Sequence, residues 1–434
     1  MIAGLIAASI SIGGTPDLTI RQAERLAVQH STEIRSARDA LKSAWALAGR
    51  VEAKTRPQIG LSGTASRFDD RTAVPFGGTE FEMLGNHNEE LSLQLVQVLD
   101  LSNQLGTAHA QARLAAMSDS FALLATISDQ ILTTDVAFIN VLRAKQGVGV
   151  AEATLTAYRE QLRTVTELWE QGVGQRIDVH RATSQVASAE KDLVQRQNDL
   201  ALARSVLNDQ LGYPLSEDVA LNEAGFAPEG APNTAGEFEA LATYAGKHRS
   251  ECKAATLAVV AATKGIKLAR SDYEPTFYVA LTGNYYPTTS FSYPRQSVGA
   301  LTLGVSIPIF DGGEARAKAQ EARATVDSAK AQQDHVQRLI ALQVQQALLN
   351  LHSARRALEA AAAALQSATA AKSLALQRFQ NQVGIYLEVT DAQAALAGAQ
   401  ASQIAAKYDV EIARAQLARA IGDLEVPATE ESKS

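Results

Sequence analysis

The chain repeats one short pattern about 210 residues apart. The sequence GQRIDVHRA at 174–182 returns as GIYLEVTDA at 384–392, with the glycine, two aliphatic residues, the acid and the alanine in matching places. Two further matched pairs precede it in the same order: RPQI at 56–59 with EPTF at 274–277, and VQVLD at 96–100 with IPIFD at 307–311. Landmarks that recur in a fixed order predict a duplicated structural unit, and neither copy is complete enough to be a domain alone.

The spacing of apolar residues changes between the landmarks. Leu301, Leu303 and Val305 alternate with polar or small residues, as in a strand with two different faces. Residues 100–178 and 311–388 contain no proline and are rich in Ala, Gln, Leu, Arg and Glu, which predicts long helices. If mostly helical, each reaches on the order of 100 Å, so their tips lie at one level.

The segment after the first long helix has a seven-residue apolar repeat, which predicts coiled-coil packing. Its members are Val186, Leu193, Leu200 and Leu207, flanked by Ala182, Ala189 and Ala203. Each repeat is therefore predicted to contain a helix, a strand hairpin, a long helix, a tight tip and a return helix, which gives four strands in two hairpins. The predicted boundaries are an N-terminal segment at 1–16, a first repeat at 17–212 (hairpin 57–100, tip 171–177), a connector at 213–235, a second repeat at 236–425 (hairpin 275–310, tip 381–386) and a disordered tail at 426–434.

Aromatic residues are concentrated in the second hairpin. Amphipathic strands with aromatic ends are typical of membrane interfaces, although cross-strand packing in a soluble sheet explains the same cluster. The candidate interface residues are Tyr278, Tyr285, Tyr286, Phe291 and Tyr293. No run of about 18 apolar residues predicts a membrane helix, and strands in lipid must close into a barrel of about eight or more. Four strands are too few, so a membrane location requires several copies of the chain.

Composition argues against several other functions. The net charge of -7 does not favour nucleic acid. The seven histidines are scattered, the single cysteine (Cys252) permits no internal disulfide, and no glycine-rich stretch precedes a Lys-Ser or Lys-Thr pair. We therefore expect no catalytic site, metal site or cofactor. Residues 2–14 are apolar without a basic start, like the end of a signal peptide.

Four segments together resemble the TolC-like outer membrane efflux proteins over about residues 17–424. They are DLTIRQA at 17–23, where Thr19 and Gln22 predict a capping box, IPIFDGG at 307–313, WEQGVG at 169–174 and YLEVTDAQ at 386–393. The resemblance implies a mainly α-helical chain with a β-barrel portion. Three copies would form a twelve-stranded barrel in the bacterial outer membrane, continued by a long periplasmic helical tunnel.

The same resemblance implies a function and partners. The family supplies a passive exit duct in outer membrane lipid, docked through its tips to a periplasmic adaptor protein and an inner-membrane efflux transporter. The second tip is most similar to members that serve resistance-nodulation-division pumps for drugs or metal ions. An exit duct for type I protein secretion and a soluble periplasmic coiled-coil scaffold are the alternatives.

The tips hold the candidate functional residues. By resemblance, Glu388 and Asp391 line the periplasmic entrance, and Asp178 holds the matching place in the first repeat; threefold symmetry would gather such acids into rings that favour cations. Stabilisation by the helix dipole also explains acids at Asp178 and Glu388. The expected adaptor contacts are Gly172, Val173, Gly174, Val383 and Gly384. Gln382 stands where the first tip has Gly172, so we expect the second turn either to have a different shape or to allow a narrower choice of φ.

Overall fold

The computed structural model describes residues 17–70, 72–84, 86–222, 238–287 and 294–423. The predicted segments 1–16 and 426–434, most of the connector, and the aromatics Phe291 and Tyr293 lie outside these ranges. The chain divides into two compact units, and each takes residues from both repeats. The sheet unit comprises Arg38–Ala122 and Lys253–Val336, and the tip unit comprises Met1–Ala37, Leu123–Cys252 and Gln337–Ser434.

The order of elements confirms the internal repeat. The first copy contains α1 (Ile20–His30), α2 (Thr32–Ala53), β1 (Gln58–Arg67), β2 (Thr72–Phe76), β3 (Thr79–Leu84), β4 (His87–Leu99), α3 (Gln104–Glu170) and α4 (Arg176–Leu211). The second contains α5 (Phe238–His248), α6 (Ser250–Ser271), β5 (Thr276–Tyr285), β6 (Ser297–Ser306), α7 (Glu314–Gln380) and α8 (Tyr386–Ile421). The helices match pairwise at 11, 22, 67 and 36 residues.

Side-chain caps explain where several helices begin. Thr19 and Gln22 form the predicted capping box at the start of α1. The Asp100 carboxylate accepts hydrogen bonds from the backbone N–H groups of Leu105 and Gly106, at 3.0 and 2.8 Å, at the start of α3. Asp311 does the same for α7, accepting from the N–H groups of residues 313 and 315 at 2.9 and 2.7 Å. The acid that ends each strand landmark is thus the cap of a 67-residue helix.

The sheet unit contains an antiparallel four-stranded sheet in the order β1-β4-β5-β6. Its register aligns like with like, because rows such as Ile59, Leu95, Leu281 and Leu301 cross all four strands. The neighbouring rows on the other face are polar or small, as in Ser62, Ser92 and Asn284. One face is therefore apolar and the other polar, which confirms the predicted alternation.

Two features differ from expectation. The segment predicted as a loop of the first hairpin forms two further strands, β2 and β3, which pair with each other around Gly77 and Gly78, both at positive φ. In addition, among the helices that the structure describes, α3 contains an 18-residue stretch long and apolar enough to cross a membrane, where none was expected. Of that stretch, 44% is buried, and the core helix of a protein meets the same criterion.

The tip unit is held by packing among α1, α3, α4 and α8. Phe138 of α3, Leu207 and Leu211 of α4 and Tyr408 of α8 are buried together with Ala23 of α1. The predicted seam of α4 contributes Leu200, Ala203 and Leu207 to this core, and its alanines at 182 and 189 are buried elsewhere along the helix. Small residues at these positions allow the long helices to approach closely.

An ionic cluster joins four helices of the tip unit. The buried guanidinium groups of Arg249 and Arg419 both contact the Glu251 carboxylate, and Arg419 also pairs with Asp129 at 2.8 Å. Arg249 further donates to the side-chain oxygen of Gln343 on α7. Burial opposes ionisation of Glu251, but the hydrogen bonds from the two arginines outweigh it and lower its pKa to about 2. Each buried charge therefore has a partner of opposite sign.

A buried pair of acids has pKa values shifted in the opposite direction, upwards. Glu24 of α1 and Asp135 of α3 are only 5% and 6% exposed, and their carboxyl groups are hydrogen-bonded to each other. The nearest cation is Arg21, whose guanidinium lies 3.6 Å from a Glu24 oxygen. Burial, reinforced by the Glu24 charge, raises the pKa of Asp135 to about 8. The pair therefore holds a proton near neutral pH.

This pair predicts that the folded protein loses stability as pH rises. The folded state binds more protons than the unfolded chain between the unfolded aspartate pKa of about 4 and the folded value of about 8, so the free energy of unfolding falls across that window. We expect Asp135→Asn to flatten the fall, measured as the melting temperature by circular dichroism. Asp119→Asn, at an exposed aspartate of the same helix, is the control. Equal pH profiles for wild type and Asp135→Asn would contradict the shared proton.

Candidate functional site

The two tips of the tip unit are turns of the same shape. α3 ends at Glu170 and α4 begins at Arg176, while α7 ends at Gln380 and α8 begins at Tyr386. In the first turn the N–H groups of residues 173 and 174 both donate to the carbonyl of residue 168, at 3.1 and 2.9 Å. In the second, those of residues 383 and 384 donate to the carbonyl of residue 378, at 2.9 and 3.0 Å. The expectation of a differently shaped second turn is therefore wrong.

This expectation rested on the position that is Gly172 in the first tip and Gln382 in the second. Gly172 has φ +77° and Gln382 has φ +58°, so both lie in the left-handed region. The hydrogen bonds of the turn impose this conformation on Gln382 although it carries a Cβ atom, which costs about 1 kcal/mol. The turn sequence thus varies while its geometry stays fixed.

Gly174 and Gly384, which hold matching positions in the two tips, have a different role. A Cβ atom at Gly174 would lie 2.8 Å from the backbone nitrogen of Trp169, and one at Gly384 would lie 3.0 Å from the Arg378 Cβ. Gly174 therefore requires glycine, and Gly384 leaves little room for a Cβ atom, because each turn packs against the end of its own helix. The sequence interpretation that glycines permit the turn is incomplete, since it named only conformational freedom.

Apolar side chains surround the two turns. Val173 and Val383 are 67% and 71% exposed at the apices, and Ile385 is 60% exposed beside the second one. Between the two tips lies a groove of about 660 Å³, lined by residues of all four tip helices that include Leu168, Asp178, Leu376 and Leu387. The predicted contact residues Val173, Gly174 and Gly384 line this groove, whereas Gly172 and Val383 lie on the turns outside it. An exposed apolar surface of this kind is typical of a protein contact.

Tyr386, which sequence reasoning treated only as part of a motif, joins the two tips. Its side chain is 3% exposed and packs in a cluster with Val165 of α3 and Ala182 of α4. Its ring lies 5.8 Å from that of Phe379, at the end of α7. Burial, with the nearby Asp178 carboxylate and Tyr158, raises the pKa of Tyr386 to about 12. The sequence signal that could have indicated this contact was an aromatic residue at the first position of the return helix.

The three candidate entrance acids, Asp178, Glu388 and Asp391, occupy different positions on their helices. Asp178 and Glu388 lie in the first turns of α4 and α8, whose N-cap residues Gln175 and Ile385 make no side-chain cap. Both therefore stand where the helix dipole favours a negative charge. Asp391 lies nearly a turn further along and is exposed, so the dipole does not explain it.

Two of these acids have basic partners. The Glu388 carboxylate lies 3.3 Å from the Arg378 guanidinium, across the second turn, and both side chains are about half exposed. Asp178 is more enclosed and lies 3.5 Å from Arg181 on its own helix. The structure therefore places the three acids at one end of the tip unit, with part of their charge balanced.

The sheet unit separates the predicted interface aromatics. Tyr285 belongs to the apolar face and is 45% exposed. Tyr278 lies on the polar face, where its ring covers Gly304 of the adjacent strand. Tyr286 also lies on that side; its hydroxyl donates to Glu90 at 3.4 Å and accepts from Asn284 at 3.2 Å. Tyr278 and Tyr286 therefore fit cross-strand packing, and only Tyr285 of the described three fits a lipid-facing position.

The tip geometry predicts that Gln382→Gly stabilises the protein. Removing the Cβ relieves the left-handed strain without changing the turn, so we expect a gain of about 1 kcal/mol, seen as a higher melting temperature. Gly172→Gln is the mirror-image control and should lose a similar amount, because a Cβ atom added there would have no atom within 4 Å and only backbone strain is introduced. A lower melting temperature for Gln382→Gly would show that its side chain makes a stabilising contact.

Comparisons with known proteins agree with this architecture. The sequence matches the family described as outer membrane efflux protein at residues 25–213 and 243–423, one segment in each repeat. It is 26% identical to Protein CyaE of Bordetella pertussis over 383 residues, covering 87% of this chain and 78% of CyaE. It is 27% identical to the outer membrane protein TolC of Vibrio cholerae over 327 residues, covering 74% and 73% of the two chains. The crystal structure of the outer membrane protein VceC of Vibrio cholerae is similar with a TM-score of 0.77 at 18% identity, covering 93% and 96%. The chain belongs to the outer membrane efflux protein family.

Proposed function

We propose that this outer membrane protein is the passive exit duct of a tripartite efflux system and works as a homotrimer. The observation that carries the proposal is the four-stranded sheet, which has one apolar face, one polar face and two open edges. Its apolar face would contact lipid, and its polar face would line the aqueous passage.

The open edges support association between copies. Within the described residues, β1 and β6 each have a strand neighbour on one side only. In lipid, unpaired backbone N–H and C=O groups cost several kcal/mol each, so the edges must be paired. Pairing β6 of one copy with β1 of the next satisfies both edges. Three copies of a four-stranded sheet make a twelve-stranded barrel, which is wide enough to enclose water.

The tips support docking to other proteins. The exposed valines at the apices and the groove between the turns form an apolar surface at one end of the tip unit. We propose that this surface receives the helical hairpins of a periplasmic adaptor, which links the duct to an inner-membrane pump. A resistance-nodulation-division pump for drugs or metal ions is the proposed partner, and a type I protein secretion system is the alternative, because the groove would accept helices of either adaptor.

The acids support a selective entrance. With threefold symmetry, Glu388 and Asp391 would form two rings of carboxylates at the periplasmic end of the duct. Arg378 lies 3.3 Å from Glu388 and reduces the net charge of its ring. Asp391 is exposed and nearly one turn further along, so its ring would carry most of the cation preference. Asp178 is more enclosed, and we assign it mainly to the dipole of α4.

The entrance predicts specific changes in single-channel recordings. We expect the purified protein to insert into planar bilayers as a trimer by mass, with small, cation-selective conductance steps. Glu388→Ala with Asp391→Ala should lower cation selectivity and raise conductance, whereas Arg378→Gln should raise cation selectivity because it exposes the charge of Glu388. The readout is the reversal potential in a salt gradient.

A matched control separates the entrance from general surface charge. Glu190→Ala removes an exposed acid on α4, paired with Arg159 at 2.7 Å and distant in sequence from the tip, and should leave selectivity unchanged. Unaltered selectivity in the double variant would contradict the proposed selective entrance, but it would not contradict the proposed exit duct. A water-soluble species that never inserts would overturn the duct itself and favour the scaffold.

The tip surface predicts a separable loss of adaptor binding. Val173→Asp with Val383→Asp places charge on the apices, so affinity for a purified adaptor hairpin should fall at least tenfold, which corresponds to about 1.4 kcal/mol. The trimer mass should stay as in wild type. Val194→Asp, at an exposed valine of α4 away from the tip, is the control. Full adaptor binding by the double variant, measured by surface plasmon resonance, would place docking elsewhere.

A further inference from the structure

The polar face of the four-stranded sheet carries a single charge, on Glu90. Side chains alternate between the two faces of a strand, and the register keeps one set together across β1, β4, β5 and β6. Within these four strands, as the structure describes them, Glu90 is the only Asp, Glu, Lys or Arg on the polar face. The neutral residues that share this face include Thr64, Ser92, Gln94, Thr282, Asn284 and Thr302.

A chain of side-chain hydrogen bonds ends on the Glu90 carboxylate. The Ser92 hydroxyl donates to the Asn284 side-chain oxygen at 2.8 Å, and the Asn284 amide nitrogen donates to the Tyr286 hydroxyl at 3.2 Å. That hydroxyl donates to a Glu90 oxygen at 3.4 Å. Each donor in this chain points towards the carboxylate, and hydrogen bonds aligned in this way polarise one another. The chain therefore holds the Glu90 side chain in one place on the polar face.

Hydrogen bonding alone does not explain why this acceptor is charged. The side-chain oxygen of a glutamine would accept the same hydrogen bond from Tyr286, and the neighbouring acceptors on this face are neutral. Glu90 is partly exposed, and no Arg, Lys or His among the described residues forms an ion pair with it. Its negative charge is therefore directed at whatever lies on the polar side of the sheet.

We propose that Glu90 is a second determinant of ion preference in the duct, at the end of the barrel away from the long helices. β4 begins at His87 and ends at Leu99 before α3, so Glu90 lies near the strand end that is remote from the helix. This inference rests on the proposed trimeric barrel, in which threefold symmetry would place three Glu90 carboxylates in a ring around the aqueous passage. The ring would raise the local concentration of small cations and oppose anions.

A contact between copies of the chain is the main competing role for Glu90, and the topology argues against it. β4 has strand partners on both sides, β1 and β5, so it does not lie at an edge where copies would pair. The Tyr286 hydroxyl that holds the carboxylate belongs to the same chain. Glu90 would therefore face the passage in every copy.

The ring is tested in the trimer that carries Glu388→Ala and Asp391→Ala, where the entrance acids cannot mask it. Glu90→Gln removes the charge and keeps an acceptor for Tyr286. At about 0.1 M salt, where charges act over roughly 10 Å, it should lower the cation-to-anion permeability ratio of this background by about twofold. The readout is the reversal potential in planar bilayers. At about 1 M salt, where the reach falls to roughly 3 Å, the two ratios should agree.

Two matched variants separate the ring from general surface charge and from damage to the strand. Glu89→Gln removes an exposed acid at the preceding position, which lies on the apolar face, and should leave the ratio unchanged. Glu90→Asp keeps the charge and should keep the cation preference, which a purely structural role would not require.

The outcomes also separate the ring from the duct. Channels whose ratio is unaffected by Glu90→Gln, or is lowered equally by Glu89→Gln, would overturn the ring and leave the duct intact. A background trimer that conducts but already lacks cation preference would overturn the ring as well. If the wild-type protein forms no channels, the duct itself fails and the ring fails with it.

Discussion

Within the described residues, the outer edges of β1 and β6 have no strand partner. The rest of the structure depends on how the backbone groups along these edges are paired. A four-stranded sheet that is apolar on one face cannot expose its edges to lipid, and it is too narrow to close on itself. The proposed association of copies rests on this constraint and needs no contact between the long helices. The duplicated sequence meets it economically, because each repeat contributes two of the four strands and one of the two 67-residue helices.

The junction between strand and helix is where the two copies agree most closely. Asp100 and Asp311 each end a strand landmark and cap the helix that follows. An exposed apolar residue lies beside this cap in both copies: Leu101 follows Asp100, and Ile309 lies two residues before Asp311. A cap at this point keeps the first N–H groups of the helix hydrogen-bonded where the strand landmark ends. The same acid therefore ends the landmark and sets the helix start in each repeat.

Much of the fold could be predicted because its signals are local. The period-two strands, the proline-free helices and the Thr19 capping box each depend on neighbours in sequence. The second turn could not be predicted from Gln382, because its left-handed conformation is imposed by hydrogen bonds to the end of α7. The position of Tyr286 could not be predicted for a related reason. The face on which it lies depends on strand register, and its hydroxyl donates a hydrogen bond to Glu90, which is distant in sequence. β2 and β3 were missed because that segment combines turn residues with a short run of mixed polarity.

The acidic residues of the tip unit differ in their surroundings and in their ionisation. Glu251 is buried and ionised because hydrogen bonds from two arginines outweigh the effect of burial on its pKa, whereas Asp135 holds a proton because burial, reinforced by the Glu24 charge, raises its pKa. At the tips, Glu388 is exposed and shares its charge with Arg378. Of the three candidate entrance acids, Asp391 alone combines exposure with a position past the first helical turn, where neither burial nor the dipole accounts for it. Asp391 is therefore the acid on which the proposed cation-selective entrance chiefly rests.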